Sequence, residues 1–163
     1  MDLTVFETLL GEIPRACREA YGERLVSVVV FGSVGRGTPR PDSDIDLLIV
    51  ADDLPRGRIR RVQEFEAVRR LLAPALATAA AAGVSTRLAP IFKTPVEARR
   101  GSPLFFDMTE DARLLYDREG FFHGCLEDLR RRLAALGARR VWRGDAWYWD
   151  LKPDYRPGEV FEI

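Results

Sequence analysis

The sequence predicts an α/β fold in which a small mixed β-sheet carries helices mainly on one face. Two short apolar runs, residues 25–31 and 45–50, are rich in valine, isoleucine and leucine and are bounded by turn residues, which is typical of buried strands. Longer segments around them place apolar residues at helical spacing. With 163 residues, of which 47% are hydrophobic, the chain is large enough for one domain with its own core.

Hydrophobic periodicity and breaker residues predict the other elements. We expect Pro74 to break the helix that follows the second strand. A Thr-Pro-Val-Glu run that begins at Thr94 predicts a helix start with a capping box. The predicted segments are helices over 4–20, 56–72, 75–82, 104–111 and 121–136, a third strand over 84–92 and a short strand over 113–116.

Paired aspartates open the second strand. Asp44 and Asp46 are two residues apart, so on a strand they point to the same face, whereas Ile45 and Leu47 point into the core. Two carboxylates that face one way repel each other unless a cation lies between them, and such oxygen ligands suit Mg²⁺. An Asp-rich turn without chemistry is the alternative, since aspartate favours turns.

A glycine-rich turn precedes these aspartates. Gly32 and Ser33 end the first strand, and the backbone N–H groups that follow can form an anion-binding concavity. If a helical turn starts at Val34, Ser33 is its N-cap, and a phosphate at that helix start is stabilised. Arg36 and Arg40 add donors that suit phosphate oxygens. An ordinary tight turn with solvated arginines is the alternative, but a phosphate cradle beside metal-binding carboxylates together predicts a nucleotide site.

Residues 32–46 have the form G-S-x10-D-x-D. With Phe31 before it and Arg36 inside the loop, this pattern resembles the signature of the DNA polymerase β-type nucleotidyltransferase superfamily. It is most similar to the minimal nucleotidyltransferases (MNT proteins), which are often paired with HEPN-domain proteins. The resemblance is strong over residues 25–50 and extends to Tyr116.

The resemblance implies a polymerase β-like palm fold and a Mg²⁺-dependent transfer of a nucleoside monophosphate. The donor is an NTP, with ATP expected, and the acceptor is a hydroxyl of a protein or small molecule. Mn²⁺ is the alternative metal, and a HEPN-type toxin is the implied partner, modified or merely bound by this chain. The implied site residues are Asp44 and Asp46 for catalysis and metal binding, and Gly32, Ser33, Arg36 and Ser43 for nucleotide binding.

A third carboxylate, which this superfamily normally supplies from a neighbouring strand, is missing from the predicted third strand. Arg87 occupies the position where the third carboxylate is expected, and the nearest later acids are Glu97, Asp107 and Asp111. The general base for the attacking hydroxyl is therefore unassigned. Two functions stay open: a working nucleotidyltransferase, or an antitoxin-like module that binds nucleotide without turnover and neutralises a HEPN-type partner by binding.

Charge and composition bear on which classes of partner this protein binds and on its location in the cell. The 25 basic and 25 acidic residues cancel, so no net basic field favours nucleic acid or a membrane, and template-independent RNA extension is the least favoured function. Cys17 and Cys125 lack metal-ligand spacing, and neither a signal peptide nor an apolar run of bilayer length is evident, so the expected location is the cytoplasm. His123 lies outside the motif and is not expected to act in catalysis or metal binding.

Residues 138–163 are interpreted as an aromatic-rich extension of a nucleotidyltransferase domain that comprises residues 1–137. The extension contains all three tryptophans, Trp142, Trp147 and Trp149, which argues against a disordered tail. We expect it to pack on the domain or on a partner, since Trp, Tyr and Arg dominate interface anchors. Stacking on a nucleobase is the alternative, and homo-oligomer formation stays open.

Overall fold

The structure, a computed structural model, describes residues 3–163. In this part of the chain no helix is long and apolar enough to cross a lipid bilayer. The helices are α1 (Thr4–Tyr21), α2 (Gly32–Gly35), α3 (Arg58–Ala81), α4 (Pro95–Arg99), α5 (Leu104–Asp111) and α6 (Phe121–Ala135), with 3-10 turns at Gly22–Arg24 and Arg118–Gly120. The strands are β1 (Leu25–Phe31), β2 (Ile45–Ala51), β3 (Leu88–Lys93), β4 (Arg113–Asp117), β5 (Arg139–Arg143) and β6 (Ala146–Asp150).

Four strands form one mixed sheet in the order β3-β2-β1-β4, which confirms the predicted fold class. β1 runs antiparallel to β2 and β4, whereas β2 and β3 are parallel. The register places Phe31, the last residue of β1, opposite Asp46 of β2, and Ala89 of β3 on the other side of Asp46. The turn after β1 and the start of β2 therefore meet at one end of the sheet.

Helices cover both faces of the sheet, so the prediction of helices mainly on one face is wrong. α1 and α3 pack on the face that contains Val28 and Ile49. α4, α5 and α6 pack on the opposite face, which contains Leu48 and Val50. The physical reason lies in β2, whose residues 47–51 are all completely buried, since a strand that is apolar on both sides must be covered on both sides.

α3 is one continuous helix, so the predicted break at Pro74 is wrong. Phe65, Val68 and Leu72 are buried in the same apolar cluster as α1, whereas Pro74 lies on the exposed side. The missing N–H of Pro74 removes one intrahelical hydrogen bond on that exposed side, and Thr78 Oγ1 donates to Pro74 O at 3.1 Å. Packing of the apolar stripe on α1 therefore outweighs the local preference of proline.

The third strand begins at Leu88, later than the predicted residue 84. Thr86 Oγ1 donates to Ser43 O at 2.7 Å, so the segment before β3 is hydrogen-bonded to the loop before β2. This segment is not part of the strand. The short strand β4 ends at Asp117 and α6 ends at Ala135, each one residue from its predicted boundary. The end of β4 follows from its pairing with β1, in which Asp117 lies opposite Ser27.

A two-stranded antiparallel hairpin of β5 and β6 begins the C-terminal segment. Trp142 pairs with Trp147, and Arg140 pairs with Trp149, so the four side chains share one face of the hairpin. On this face the indole N–H groups of Trp147 and Trp149 donate to Asp107 of α5, at 2.7 and 2.9 Å. The hairpin thus contacts α5, and its treatment as a separate extension stays a prediction.

α4 starts at a capping box, as predicted. Thr94 Oγ1 accepts a hydrogen bond from Glu97 N, and the Glu97 carboxylate accepts one from Thr94 N. Arg61 of α3 donates to both oxygens of the same carboxylate, at 2.7 and 2.9 Å. The Arg61 hydrogen bonds are the main cause that lowers the pKa of Glu97 to about 2. Glu97 therefore joins α3 to α4.

The Glu97→Gln variant should have a free energy of unfolding lower by about 1–2 kcal/mol near pH 7, a value reduced for the partial exposure of the pair. Because the pKa of Glu97 is depressed on folding, its contribution is complete above the ordinary value of 4.5 and is lost as pH falls toward about 2. Urea unfolding of both proteins near pH 7 and at about pH 3 measures this difference, which should shrink at the lower pH. A difference of the same size at both pH values would contradict the pairing.

Candidate active site

Gly32 holds the turn after β1 against Asp46. The φ angle of Gly32 is 66°, in the left-handed region, and a Cβ at this position would lie 2.2 Å from Asp46 Oδ2. A side chain is therefore excluded on two grounds, backbone strain and direct overlap. The absence of a side chain brings the first residue of α2 into contact with a carboxylate of β2.

Gly35, at the other end of α2, is packed as closely. A Cβ there would lie 2.8 Å from Asp111 O and 3.0 Å from Val30 O. α2 is therefore confined between the sheet and the C-terminal end of α5. A backbone that is fixed in this way can present its N–H groups without reorganisation when an anion binds.

Ser33 lies inside α2, so its prediction as an N-cap is wrong. Phe31 occupies the N-cap position, and no side chain caps this helix. The left-handed φ of Gly32 turns the chain directly at the end of β1, which starts the helix before Val34. The Ser33 hydroxyl is consequently not used in capping and stays available to a ligand.

Asp46 lies on β2, as the sequence predicts, whereas Asp44 lies just before this strand. Asp44 precedes β2 and Asp46 is its second residue, while Ile45 and Leu47 are completely buried. Burial raises the pKa of Asp46, the negative charge of Asp44 raises it further, and Arg36 acts in the opposite direction. The two carboxylates are therefore close enough to interact, and the charge of Arg36 reaches Asp46.

A third acid does not join this pair. Ala89 lies beside Asp46 in the parallel register of β2 and β3, and Arg87 Nε lies 3.7 Å from Asp44 Oδ1. Among residues 3–163 no group of three or more His, Cys, Asp or Glu side chains could hold a metal ion. β3 thus places Ala89 beside Asp46, and Arg87, which precedes β3, places a cation near Asp44.

The three later acids that the sequence offers as substitutes all have other partners. Glu97 is bound by an arginine of α3. Asp111 is paired with two arginines, and Asp107 accepts hydrogen bonds from two indole N–H groups. None of the three is available as a third metal ligand in this arrangement.

Arg36 follows α2 and contacts the C-terminal hairpin. Its guanidinium carbon lies 4.7 Å from the ring centroid of Trp147, and its Nη1 lies 3.6 Å from Asp111 Oδ2. Its charge also reaches Asp46, because it opposes the rise in that pKa. Sequence reasoning selected Arg36 but missed Trp147 and Asp111, for which the tryptophan-rich tail was the available signal.

Ser43 and Arg40 shape the loop between α2 and β2. Ser43 Oγ accepts from Arg40 N at 2.8 Å, and Ser43 N donates to Arg40 O at 3.0 Å. The Arg40 side chain is exposed and pairs with Asp42. The predicted residues that the structure brings together are Gly32, Ser33, Arg36, Asp44 and Asp46.

Other reactive groups lie elsewhere. His123 is exposed at the start of α6, where its backbone N–H donates to Asp117 at 2.9 Å. Cys17 is buried in α1, and burial raises its pKa to about 12. A cleft of about 980 Å³ lies between α4, α5 and α6, and none of the predicted site residues lines it.

The donor set of the two aspartates fits a hard divalent cation. Both side chains offer carboxylate oxygens, the ligands that Mg²⁺ prefers, and a cation between them would relieve their repulsion. Two acids suit one ion that takes the rest of its shell from water and phosphate oxygens. Asp44 and Asp46 therefore fit a Mg²⁺ ion that has two protein ligands and takes its other ligands from water and phosphate.

The Gly32→Ala variant should bind Mn²⁺ at least about tenfold more weakly, because the new methyl group overlaps the Asp46 carboxylate and forces it to move. Gly37→Ala is the matched control, since Gly37 has a φ of 75° but no atom within 4 Å of its Cβ. Both variants carry backbone strain of about 1–2 kcal/mol, which thermal unfolding measures. Equal Mn²⁺ affinities of the two variants, measured by electron paramagnetic resonance, would contradict the role of Gly32.

Sequence and structure comparisons relate the chain to named proteins. A Methanocaldococcus jannaschii protein, provisionally named a protein adenylyltransferase, is 29% identical over 132 residues, which cover 80% of this chain and 84% of that protein. A tri-AMPylated Shewanella oneidensis HEPN toxin in complex with MNT antitoxin matches with a TM-score of 0.42 and 17% identity, over 80% of this chain and 92% of that chain. A toxin-antitoxin structure with AMP-PNP matches with a TM-score of 0.40 and 17% identity, over 84% and 94%.

Family membership rests on the N-terminal part of the chain. Residues 10–95, a little over half of the sequence, match the nucleotidyltransferase domain family. The matched range contains β1, α2, β2 and β3, and with them the contact between Gly32 and Asp46. The chain therefore belongs to the nucleotidyltransferase domain family.

Proposed function

We propose that this protein transfers AMP from ATP to a hydroxyl group of a protein or small molecule and releases pyrophosphate. The observation that carries the proposal is the position of Asp44 and Asp46 beside the glycine-rich turn of α2 in a nucleotidyltransferase domain. The Methanocaldococcus jannaschii relative supports AMP as the transferred group, since it is provisionally named an adenylyltransferase.

Asp44 and Asp46 are the proposed ligands of Mg²⁺, with Mn²⁺ as the alternative. When bound, the ion neutralises charge on the phosphate oxygens and orients them. The contact with Gly32 fixes the carboxylate of Asp46, so one ligand is already in place before the nucleotide binds. Asp44 is more exposed and can adjust to the bound complex.

The turn of α2 is the proposed binding site for the triphosphate. Backbone N–H groups at the start of a helical turn lack intrahelical acceptors, and the Ser33 hydroxyl adds a donor beside them. Arg36 supplies positive charge for the leaving pyrophosphate. Ser43 accepts a hydrogen bond from Arg40 N through its Oγ, and its own O–H remains a donor for the nucleotide.

The proposed reaction is a displacement at the α-phosphorus of ATP. The oxygen of the acceptor hydroxyl forms a bond to this phosphorus, and the bond from phosphorus to the oxygen that bridges to the β-phosphate breaks. The electron pair of that bond leaves with pyrophosphate, whose charge Arg36 and the α2 backbone stabilise. The hydroxyl proton passes to solvent or to a base on the acceptor, because residues 3–163 provide no third carboxylate in this group.

A protein hydroxyl is the favoured acceptor, because the provisional name of the relative specifies a protein substrate. A HEPN-type protein is the proposed partner, as the MNT-like signature implies. Free thiols at Cys17 and Cys125 fit a reducing compartment, for which we propose the cytoplasm. An antitoxin-like module that binds nucleotide without turnover is the alternative; the absent third carboxylate favours it, but the family and the relative are both named for transfer.

The double variant Asp44→Asn with Asp46→Asn should lose transfer, because it removes the charge that would hold the metal. The test incubates the protein with [α-³²P]ATP, Mg²⁺ and a lysate of the source cell, and then separates labelled products. Asp42→Asn is the matched control, since it removes a nearby exposed acid that pairs with Arg40. The unaltered protein and this control should label the same protein or small molecule.

Two outcomes would count against the proposal. Label that persists with the double variant would contradict the assignment of the two aspartates. Metal-dependent ATP binding without any labelled product would contradict transfer and favour the binding module. Circular dichroism of each variant establishes that the fold is retained, which is expected because the Asp44 side chain is 44% exposed and Asp46 lies at the end of the sheet.

A further inference from the structure

We infer that the hairpin of β5 and β6 completes the nucleotide site: Trp147 and Asp111 position Arg36 for the triphosphate. Both are positioning residues, because they act through Arg36. The inference rests on the proposed function of Arg36. It assigns a role to a part of the chain that lies beyond residues 10–95, the range that matches the family.

Trp147 covers one face of the Arg36 guanidinium. The guanidinium carbon lies 4.7 Å from the ring centroid, within the range of a cation–π contact. The side chain of Arg36 is 25% exposed and that of Asp111 is 9% exposed. Because water has limited access to this group, its contacts are stronger than those of surface pairs.

This arrangement leaves the edge of the guanidinium for a ligand. The Trp147 ring contacts Arg36 through its π surface and occupies no N–H donor, so the guanidinium keeps donors that can bind two phosphate oxygens. Asp111 does not neutralise Arg36 completely, because Arg140 Nη1 lies 2.6 Å from the same Asp111 Oδ2. Two guanidinium groups share this carboxylate, so Asp111 alone does not neutralise both of them, and the charge of Arg36 still reaches Asp46.

Trp147 is itself held on several sides. Its indole N–H donates to Asp107 at 2.7 Å, and its ring centroid lies 4.8 Å from that of Trp142. The Arg140 guanidinium carbon lies 5.2 Å from the Trp147 ring. A fixed indole surface limits the conformations of Arg36 before the nucleotide arrives, which lowers the entropy that binding costs.

Trp149 offers a matched comparison. It donates to the same Asp107 carboxylate, at 2.9 Å, but its ring lies edge-on to Phe106 at 6.1 Å between centroids. Replacement of either tryptophan by leucine therefore removes one indole ring and one hydrogen bond to Asp107. Only Trp147→Leu also uncovers the guanidinium of Arg36.

The test measures binding of the ATP analogue AMP-CPP with Mn²⁺ by calorimetry, and KM and kcat for transfer from ATP. Trp147→Leu should raise Kd and KM about three- to tenfold with a smaller change in kcat, and Trp147→Phe should retain most of the affinity. Trp149→Leu should stay within about twofold of the unaltered protein. In an Arg36→Met background, Trp147→Leu should have no further effect, because the two residues act through one group.

Equal losses of affinity in the two leucine variants would overturn the inference and leave the proposed function intact. A full loss from Trp147→Leu in the Arg36→Met background would do the same. If the unaltered protein binds no nucleotide, the proposed function and the inference both fail. Thermal unfolding checks each variant, and if Trp147→Leu does not fold, Trp147→Met against Trp149→Met supplies the same comparison, since methionine also removes the ring.

Discussion

The contact between Gly32 and Asp46 joins the end of β1 to the start of β2 without an intervening side chain, and the site depends on it. The antiparallel register sets Phe31 opposite Asp46, so the next residue must turn directly over the carboxylate. Only glycine fits this position, because it adopts the left-handed φ without strain and has no Cβ, which would lie 2.2 Å from Asp46 Oδ2. The register in turn depends on the core, since a shift of one residue would turn Asp46 to the face on which Ile45 and Leu47 are completely buried. The packing of the core therefore fixes the position of the Asp46 carboxylate.

The charges around this contact are arranged for a ligand that carries both signs. Asp44 and Asp46 repel each other, which contributes to the raised pKa of Asp46 and would be relieved by a divalent cation. The charge of Arg36 acts on Asp46, and Arg87 Nε lies 3.7 Å from Asp44 Oδ1. Asp111 is shared between Arg36 and Arg140. A metal ion bound to a triphosphate, the ligand that we propose, would satisfy the carboxylates and the arginines together. An isolated cation or an isolated phosphate would satisfy only half of this arrangement.

Residue type and short-range spacing predict most of the elements that form the site. The two buried strands, the glycine-rich turn, the paired aspartates and the capping box at Thr94 all follow from residue type and spacing, and the structure places them as predicted. Features that depend on distant partners were missed. The apolar stripe of α3 continues through Pro74 because α1 covers it, and helices cover the second face because β2 is apolar on both sides. The indole on Arg36 comes from a strand more than a hundred residues away, so no spacing within the motif could indicate it.

A crystal structure with Mn²⁺ and AMP-CPP is the most direct test of the central claim, that the turn of α2 and the paired aspartates form one nucleotide site. Anomalous scattering locates the manganese independently of the nucleotide. The account predicts manganese bound by Asp44 and Asp46, with the triphosphate along Gly32–Gly35 and in contact with Arg36. Manganese away from the two aspartates, or the nucleotide in the cleft between α4, α5 and α6, would contradict it.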